Sequence, residues 1–177
     1  VISQIIVEGL HFISGGERET IFTDARHILI YGPSSAGKTT LLKAIQRAYD
    51  SREETGKVQV TVQHSPLAPD RIPGRPNSTT LLESRGPSQR IGHSLTEQRW
   101  AEVLDRCETS KYVRRMLFLD MPDLGLDDAE CARMAKFLGT INVEQMFVTS
   151  SRTAFFDAWG SRVIHLAHYR QAAKSVV

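Results

Sequence analysis

The chain has 177 residues, 41% of them hydrophobic and 24% charged, with a net charge of +2. It is long enough for one well-packed domain and short for two, and the mild charge neither points to a nucleic-acid partner nor excludes one. No apolar run reaches the roughly 20 residues of a membrane span, so no insertion into a bilayer is expected. The opening Val1-Ile2-Ser3-Gln4 does not read as a secretory signal, so a cytoplasmic location is the expectation.

Ile2 to Phe12 is rich in Ile, Val and Phe and reads as a strand. Ser14-Gly15-Gly16 is a turn, and Glu19 to Phe22 is a second short strand that forms a hairpin with the first. His27 to Tyr31 is a short apolar strand that runs into a glycine-bounded loop. Leu41, Ala44, Ile45 and Ala48 then recur at helical spacing, which predicts a helix over Thr39 to Tyr49. Asp50 to Gly56 is a charged connection, and Lys57 to Gln63 alternates Val58, Val60 and Val62 with polar residues, as in a half-buried strand of a second sheet or an edge.

Residues 64–93 are read as an irregular insertion or reduced subdomain, because five of the seven prolines fall between Pro66 and Pro87. Arg71, Arg75, Arg85 and Arg90 make it locally basic; this is read as a solvated loop, with a phosphate or partner contact as the other reading. Ser94 followed by Glu97 three residues later is a capping box, and Trp100, Val103, Leu104 and Cys107 form the apolar stripe of the helix it opens. Arg114 to Leu119 is an apolar strand ending in Asp120. A helix over Asp128 to Leu138 has Cys131, Met134, Ala135 and Leu138 on one face. Cys107 and Cys131 have no metal-ligand spacing and are read as apolar fillers. A strand over Gln145 to Thr149, a short helix over Thr153 to Trp159 and a strand over Arg162 to Leu166 complete the pattern. Strands alternating with helices imply a single α/β domain over 1–177, with a mainly parallel sheet that binds ligands at the carboxyl ends of its strands.

Two stretches carry chemistry. Gly32-Pro33-Ser34-Ser35-Ala36-Gly37-Lys38-Thr39 fits G-x-x-x-x-G-K-[ST], the P-loop or Walker A motif, and Thr40 follows inside the helix. The glycines let the backbone close around phosphates with N–H groups inward, and the helix start adds partial positive charge. Lys38 is the residue to reach the β and γ phosphates of ATP, and Thr39 the hydroxyl to hold Mg²⁺. The second stretch is Met116-Leu117-Phe118-Leu119-Asp120, where Asp120 reads as the Walker B carboxylate for Mg²⁺, at the end of a strand beside the P-loop. A strand-end carboxylate capping a turn is the plainer alternative.

The order of these parts resembles an ABC-type ATPase domain over nearly the whole chain. Leu117-Phe118-Leu119-Asp120-Met121-Pro122-Asp123-Leu124-Gly125-Leu126-Asp127 is similar to that family's run of Walker B, Asp-Glu-Pro and D-loop, which matches Asp127 to the D-loop aspartate. His93-Ser94-Leu95-Thr96-Glu97-Gln98-Arg99 resembles a worn signature Leu-Ser-Gly-Gly-Glu-Gln. The resemblance implies that Ser94 and Glu97 meet ATP held by a partner subunit, and that Phe12 stands in for the adenine-stacking aromatic. It also implies that Gln63 serves as the Q-loop glutamine.

The departures bear on hydrolysis. Met121 occupies the place of the water-polarising glutamate, and a thioether accepts no proton. Ser150 occupies the switch-histidine position, Leu95 and Thr96 replace the signature glycines, and Asp123 is the substitute base. The implied function is Mg-ATP binding with slow or absent hydrolysis, in a homodimer or a heteromeric complex that is DNA-associated or membrane-protein-associated. The rivals are an SMC-type DNA-repair or defence ATPase head, a small P-loop kinase with Arg71, Arg75 or Arg85 as a lid, and a non-enzymatic ATP-bound scaffold.

Overall fold

The computed structural model describes residues 2–7, 19–23, 25–51, 58–62, 78–81, 94–113 and 116–166. In chain order the elements are β1 (Ile2–Val7), β2 (Glu19–Phe22), β3 (His27–Tyr31), α1 (Lys38–Ser51), β4 (Val58–Val62) and β5 (Ser78–Leu81). They continue with α2 (Leu95–Val113), β6 (Met116–Leu119), α3 (Asp128–Thr140), β7 (Met146–Ser150), α4 (Thr153–Ala158) and β8 (Arg162–His165). Five strands form one sheet in the order β5-β6-β7-β3-β8, and every pairing in it is parallel. The other three form a small antiparallel sheet, β2-β1-β4. The architecture is α/β, a parallel sheet flanked by helices beside a small antiparallel portion.

The inner strands β6, β7 and β3 are buried on both faces, as strands of a parallel sheet are when helices cover it. Successive side chains of a strand point to opposite faces, and the core divides accordingly. Ile28 and Ile30 of β3, Met116 and Phe118 of β6 and Phe147 of β7 face one layer with Leu41, Leu42 and Ile45 of α1 and Ile2 and Ile5 of β1. Leu29, Leu117, Leu119, Met146 and Val148 face the other, against Val103 of α2, Met134 and Leu138 of α3 and Phe155 of α4. The four residues expected on the inner face of α3 are all buried. Both cysteines are buried and free; burial pushes the Cys107 thiol up to about 12 and Cys131 up to about 11.

A buried amide joins the two sheets. Gln145, fully buried just before β7, accepts the Ile2 N–H at 2.8 Å on its Oε1. Its Nε2 donates to the carbonyls of Ile2 (2.9 Å), Ala25 (3.1 Å) and Thr23 (3.3 Å). Thr23 in turn donates its hydroxyl to Ile2 O at 2.6 Å. One side chain, set at the start of a main-sheet strand, thus satisfies backbone groups of β1 and of the β2–β3 connection where no ladder runs.

Two expectations are corrected. The stretch 64–93, read as irregular throughout, contains β5, which pairs with β6 from Ser78↔Met116 to Leu81↔Leu119. The β-branched pair Thr79-Thr80 suits a strand, and an edge position with only one neighbour tolerates the flanking prolines. Between β6, the strand that ends at Asp120, and β3, which feeds the glycine loop, sits β7. Leu104, placed on the inner stripe of its helix, is 41% exposed, while Val103 and Cys107 are buried. Among the described residues, no helix is long and apolar enough to cross a membrane.

Replacing Gln145 with Leu removes the sheet-to-sheet bonds and strands buried backbone groups of β1 and the β2–β3 connection. The expected loss of unfolding free energy is about 3 kcal/mol, read by urea denaturation, since an unsatisfied buried polar group costs roughly 1–3 kcal/mol.

Candidate functional site

At the end of β3 the chain turns through Gly32 to Gly37 into α1. Gly32 has no room for a side chain, because a Cβ there would lie 2.6 Å from the backbone oxygen of Leu166, just past β8. The loop is therefore pressed against the end of the edge strand. Ser35 and Gly37 adopt left-handed backbone, with φ of 66° and 88°, and glycine takes that conformation without strain. The Leu41 N–H then bonds Gly37 O at 2.9 Å. Pro33, Ser34, Ser35 and Thr40 are exposed, whereas Ala36 is buried. Lys38 is only 5% exposed; its Nζ donates to Gly32 O at 2.9 Å and Pro33 O at 2.8 Å, wrapped by its own loop. Burial pulls its pKa below the ordinary value, against the attraction of Asp120 and Asp123.

Asp120 closes the site from β6. Its Oδ1 accepts two hydroxyls, Thr39 at 3.0 Å from α1 and Thr149 at 2.6 Å from β7. Thr149 Oγ1 also accepts the Met121 N–H at 2.8 Å. Asp120 is 2% exposed, and its Oδ2 makes no hydrogen bond among the described residues. Thr39 and Asp120 are hard oxygen donors at one point, which suits a cation such as Mg²⁺ that takes one or two protein ligands and completes its shell with water and phosphate. Among the described residues no group of three or more His, Cys, Asp or Glu gathers to cage a metal unaided.

The segment after Asp120 is held in an uncommon shape. Met121 has φ of 48°, left-handed backbone for a residue that is not glycine, and its bond to Thr149 fixes it there. Asp123 is 1% exposed, and Ser150 Oγ donates to its Oδ2 at 2.6 Å while accepting the Arg152 N–H at 3.0 Å. Asp123 Oδ1 has no hydrogen-bond partner among the described residues. Burial pushes the Asp123 pKa up; the Ser150 hydrogen bond, a backbone bond, and the charges of Arg152 and Arg99 act against it. Two arginines hold the loop's carbonyls: Arg99 Nε donates to Leu124 O at 3.3 Å, and an Arg152 Nη to Leu126 O at 3.0 Å.

The structure brings together Gly32, Lys38, Thr39, Asp120, Asp123 and Ser150. Ser94 and Glu97 form the expected reciprocal pair at the start of α2, with Ser94 N–H to Glu97 Oε2 at 2.8 Å and Glu97 N–H to Ser94 Oγ at 3.2 Å. Asp127 caps α3 by accepting the Glu130 N–H at 2.8 Å. Phe12 and Gln63 lie outside the described residues. Gln63 follows β4, which belongs to the small sheet; the strand that runs parallel beside β6 toward Asp120 is β5. A groove of about 440 Å³ between α2 and α3 is lined by Trp100, Glu130 and Arg133 among others, and none of the residues around Asp120 lines it. Sequence reasoning missed Thr149 as a ligand of Asp120 and Arg99 as a clamp on Leu124. The only signal for Thr149 was its place at a strand end. Neither a protein-family model nor a curated protein matches this chain.

The folded pKa of Asp123 lies above the unfolded value of 3.8. The folded state therefore binds this proton more tightly, and the contribution of the carboxyl to stability is present at low pH and lost as pH rises through the folded pKa. Asp123→Asn, which does not titrate, should melt a few degrees above the wild type at pH 7–8. The gap should close toward pH 4, as measured by calorimetry across pH.

Proposed function

We propose that this chain is an ABC-type P-loop domain that binds Mg-ATP and hydrolyses it slowly. The observation that carries the reading is the 3.0 Å contact between Thr39, which follows the lysine of the glycine loop, and Asp120, at the carboxyl end of a neighbouring part of the sheet. Ligands of open α/β sheets bind at those carboxyl ends, and a glycine loop leading into a helix suits phosphate. In this reading, Gly32 to Thr40 cradles the phosphates. Lys38 exchanges its two loop carbonyls for phosphate oxygens, and Thr39 and Asp120 hold Mg²⁺. The ion would supply charge neutralisation on the β and γ phosphates.

The position of β7 supports a nucleotide-sensing reading over a kinase reading. Because β7 lies between β3 and β6, its last residues, Thr149 and Ser150, stand between the phosphate loop and the loop after Asp120. Each makes a hydrogen bond to an aspartate of that loop. A ligand on the glycine loop is thereby connected to residues 121–127, which leads naturally to a partner subunit. With Met121 in place of a glutamate, ATP serves more as a ligand for assembly than as fuel. Ser94, exposed at the start of α2, is the contact for ATP held by that second subunit.

Lys38→Ala should remove Mg-ATP binding in a calorimetric titration; undiminished affinity would overturn the nucleotide assignment. Ser94→Arg should leave ATP binding intact but prevent any ATP-dependent increase in mass, measured by light scattering with and without Mg-ATP. An unchanged mass increase would leave Ser94 as a helix cap alone.

A further inference from the structure

The reading above leaves hydrolysis without a proton acceptor, since Met121 cannot serve. We propose that Asp123, oriented by the Ser150 hydroxyl, takes the proton from the attacking water, and that Ser150 is its positioning residue. The inference rests on the Mg-ATP reading and deepens it.

Three observations carry it. First, the two oxygens of Asp123 are unlike. Oδ2 is anchored by Ser150 at 2.6 Å, while Oδ1, buried with the rest of the side chain, has no donor among the described residues. A buried carboxylate oxygen needs a partner, and a water is the donor that fits a polar site closed by protein. Secondly, the charge of Asp123 reaches the glycine loop. The Lys38 ammonium, which marks where the β and γ phosphates rest in this reading, interacts electrostatically with Asp123 as well as with Asp120. Asp120 and Asp123 therefore present two buried orphan oxygens three positions apart in one loop, one suited to the cation and one to the water. Thirdly, the anchor is itself fixed. Ser150 Oγ accepts the Arg152 N–H while it donates to Asp123, and the backbone of Ser150 is part of β7, so the hydroxyl is held from both sides on a fixed strand.

The step balances simply. The water oxygen bonds to the γ phosphorus as its proton passes to Asp123 Oδ1. The bond from that phosphorus to the β–γ bridging oxygen breaks, and its electron pair leaves with ADP. The proton on Asp123 is then released to solvent. The groups facing the carboxyl are Ser150 and Arg152 from the end of β7, Arg99 from α2, Lys38 from α1 and the Cys131 thiol from α3. A carboxyl whose pKa is lifted by burial is a better proton acceptor than an exposed aspartate.

The test uses the full chain and single-turnover release of phosphate from Mg-ATP, with affinity measured in parallel on each variant. The wild type should release phosphate slowly. Asp123→Asn should cut the rate by about 100-fold or more with its Mg-ATP affinity unchanged. Ser150→Ala should shift the acidic limb of the pH–rate profile upward in pH, because the hydrogen bond it removes holds the Asp123 pKa down. Ser150→Thr should restore the limb. An Asp123→Asn protein that hydrolyses like the wild type overturns the proposal. A wild type that binds Mg-ATP but releases no phosphate also overturns it, while leaving the nucleotide reading standing. A wild type that binds no Mg-ATP overturns both. If Asp123→Asn fails to fold, the pH profile of Ser150→Ala decides, and an unmoved limb refutes the proposal.

Discussion

Two hydroxyls, from Thr39 and Thr149, converge on one oxygen of Asp120. That convergence is the constraint on which the site depends, because the strands behind Thr39 and Asp120 do not touch each other. Hydrogen bonds to an ionised acceptor are short and strong, and here they draw α1, β6 and β7 to one point. The second lone pair of Thr149 Oγ1 takes up the Met121 N–H, so the same hydroxyl also fixes the backbone that follows. The geometry around the glycine loop is in this sense a property of three elements brought together, and of none alone.

The surroundings of that point are electrostatically tense. Lys38, Asp120 and Asp123 are each at most 5% exposed. Charges removed from water are tolerable only when paired and hydrogen-bonded, and among the described residues each of the two carboxylates keeps one oxygen without a bond. Met121 adds backbone in a region that side-chain-bearing residues seldom occupy. A structure optimised for stability alone would relieve these features. Their concentration within a few residues of one loop is what functional sites show, where perturbed groups and local strain gather.

The amphipathic patterns made most of the fold legible. Apolar residues at helical spacing announced α1 and α3, and the short apolar runs announced β3, β6 and β7, within two or three residues of their ends. The capping box at Ser94 and Glu97 was readable because both partners lie within one turn of chain. What the sequence concealed was contact between distant residues of ordinary type. Gln145 looks like any polar residue before a strand, and nothing local marks it as the joint between two sheets. The pairing of Ser150 with Asp123 spans 27 positions and involves no recognisable motif. β5 was hidden for a different reason: two threonines flanked by prolines carry too weak a strand signal until β6 is there to pair with. The strand order was not legible either, since any of several permutations of parallel strands obeys the same alternation of β and α.

The central place of β7 has a consequence for how the molecule is made. The strand β3 emerges from synthesis well before β7, and β6 one helix before it, yet each finds its inner neighbour only in β7. Until that strand arrives, the growing chain holds the β5-β6 pair and an unpaired β3 with open, strongly apolar edges, which are the surfaces most prone to pair with another chain. Long-range parallel pairing of this kind is slow to form. The nascent protein therefore passes through an interval of aggregation risk that ends when a short, late segment slots into the middle.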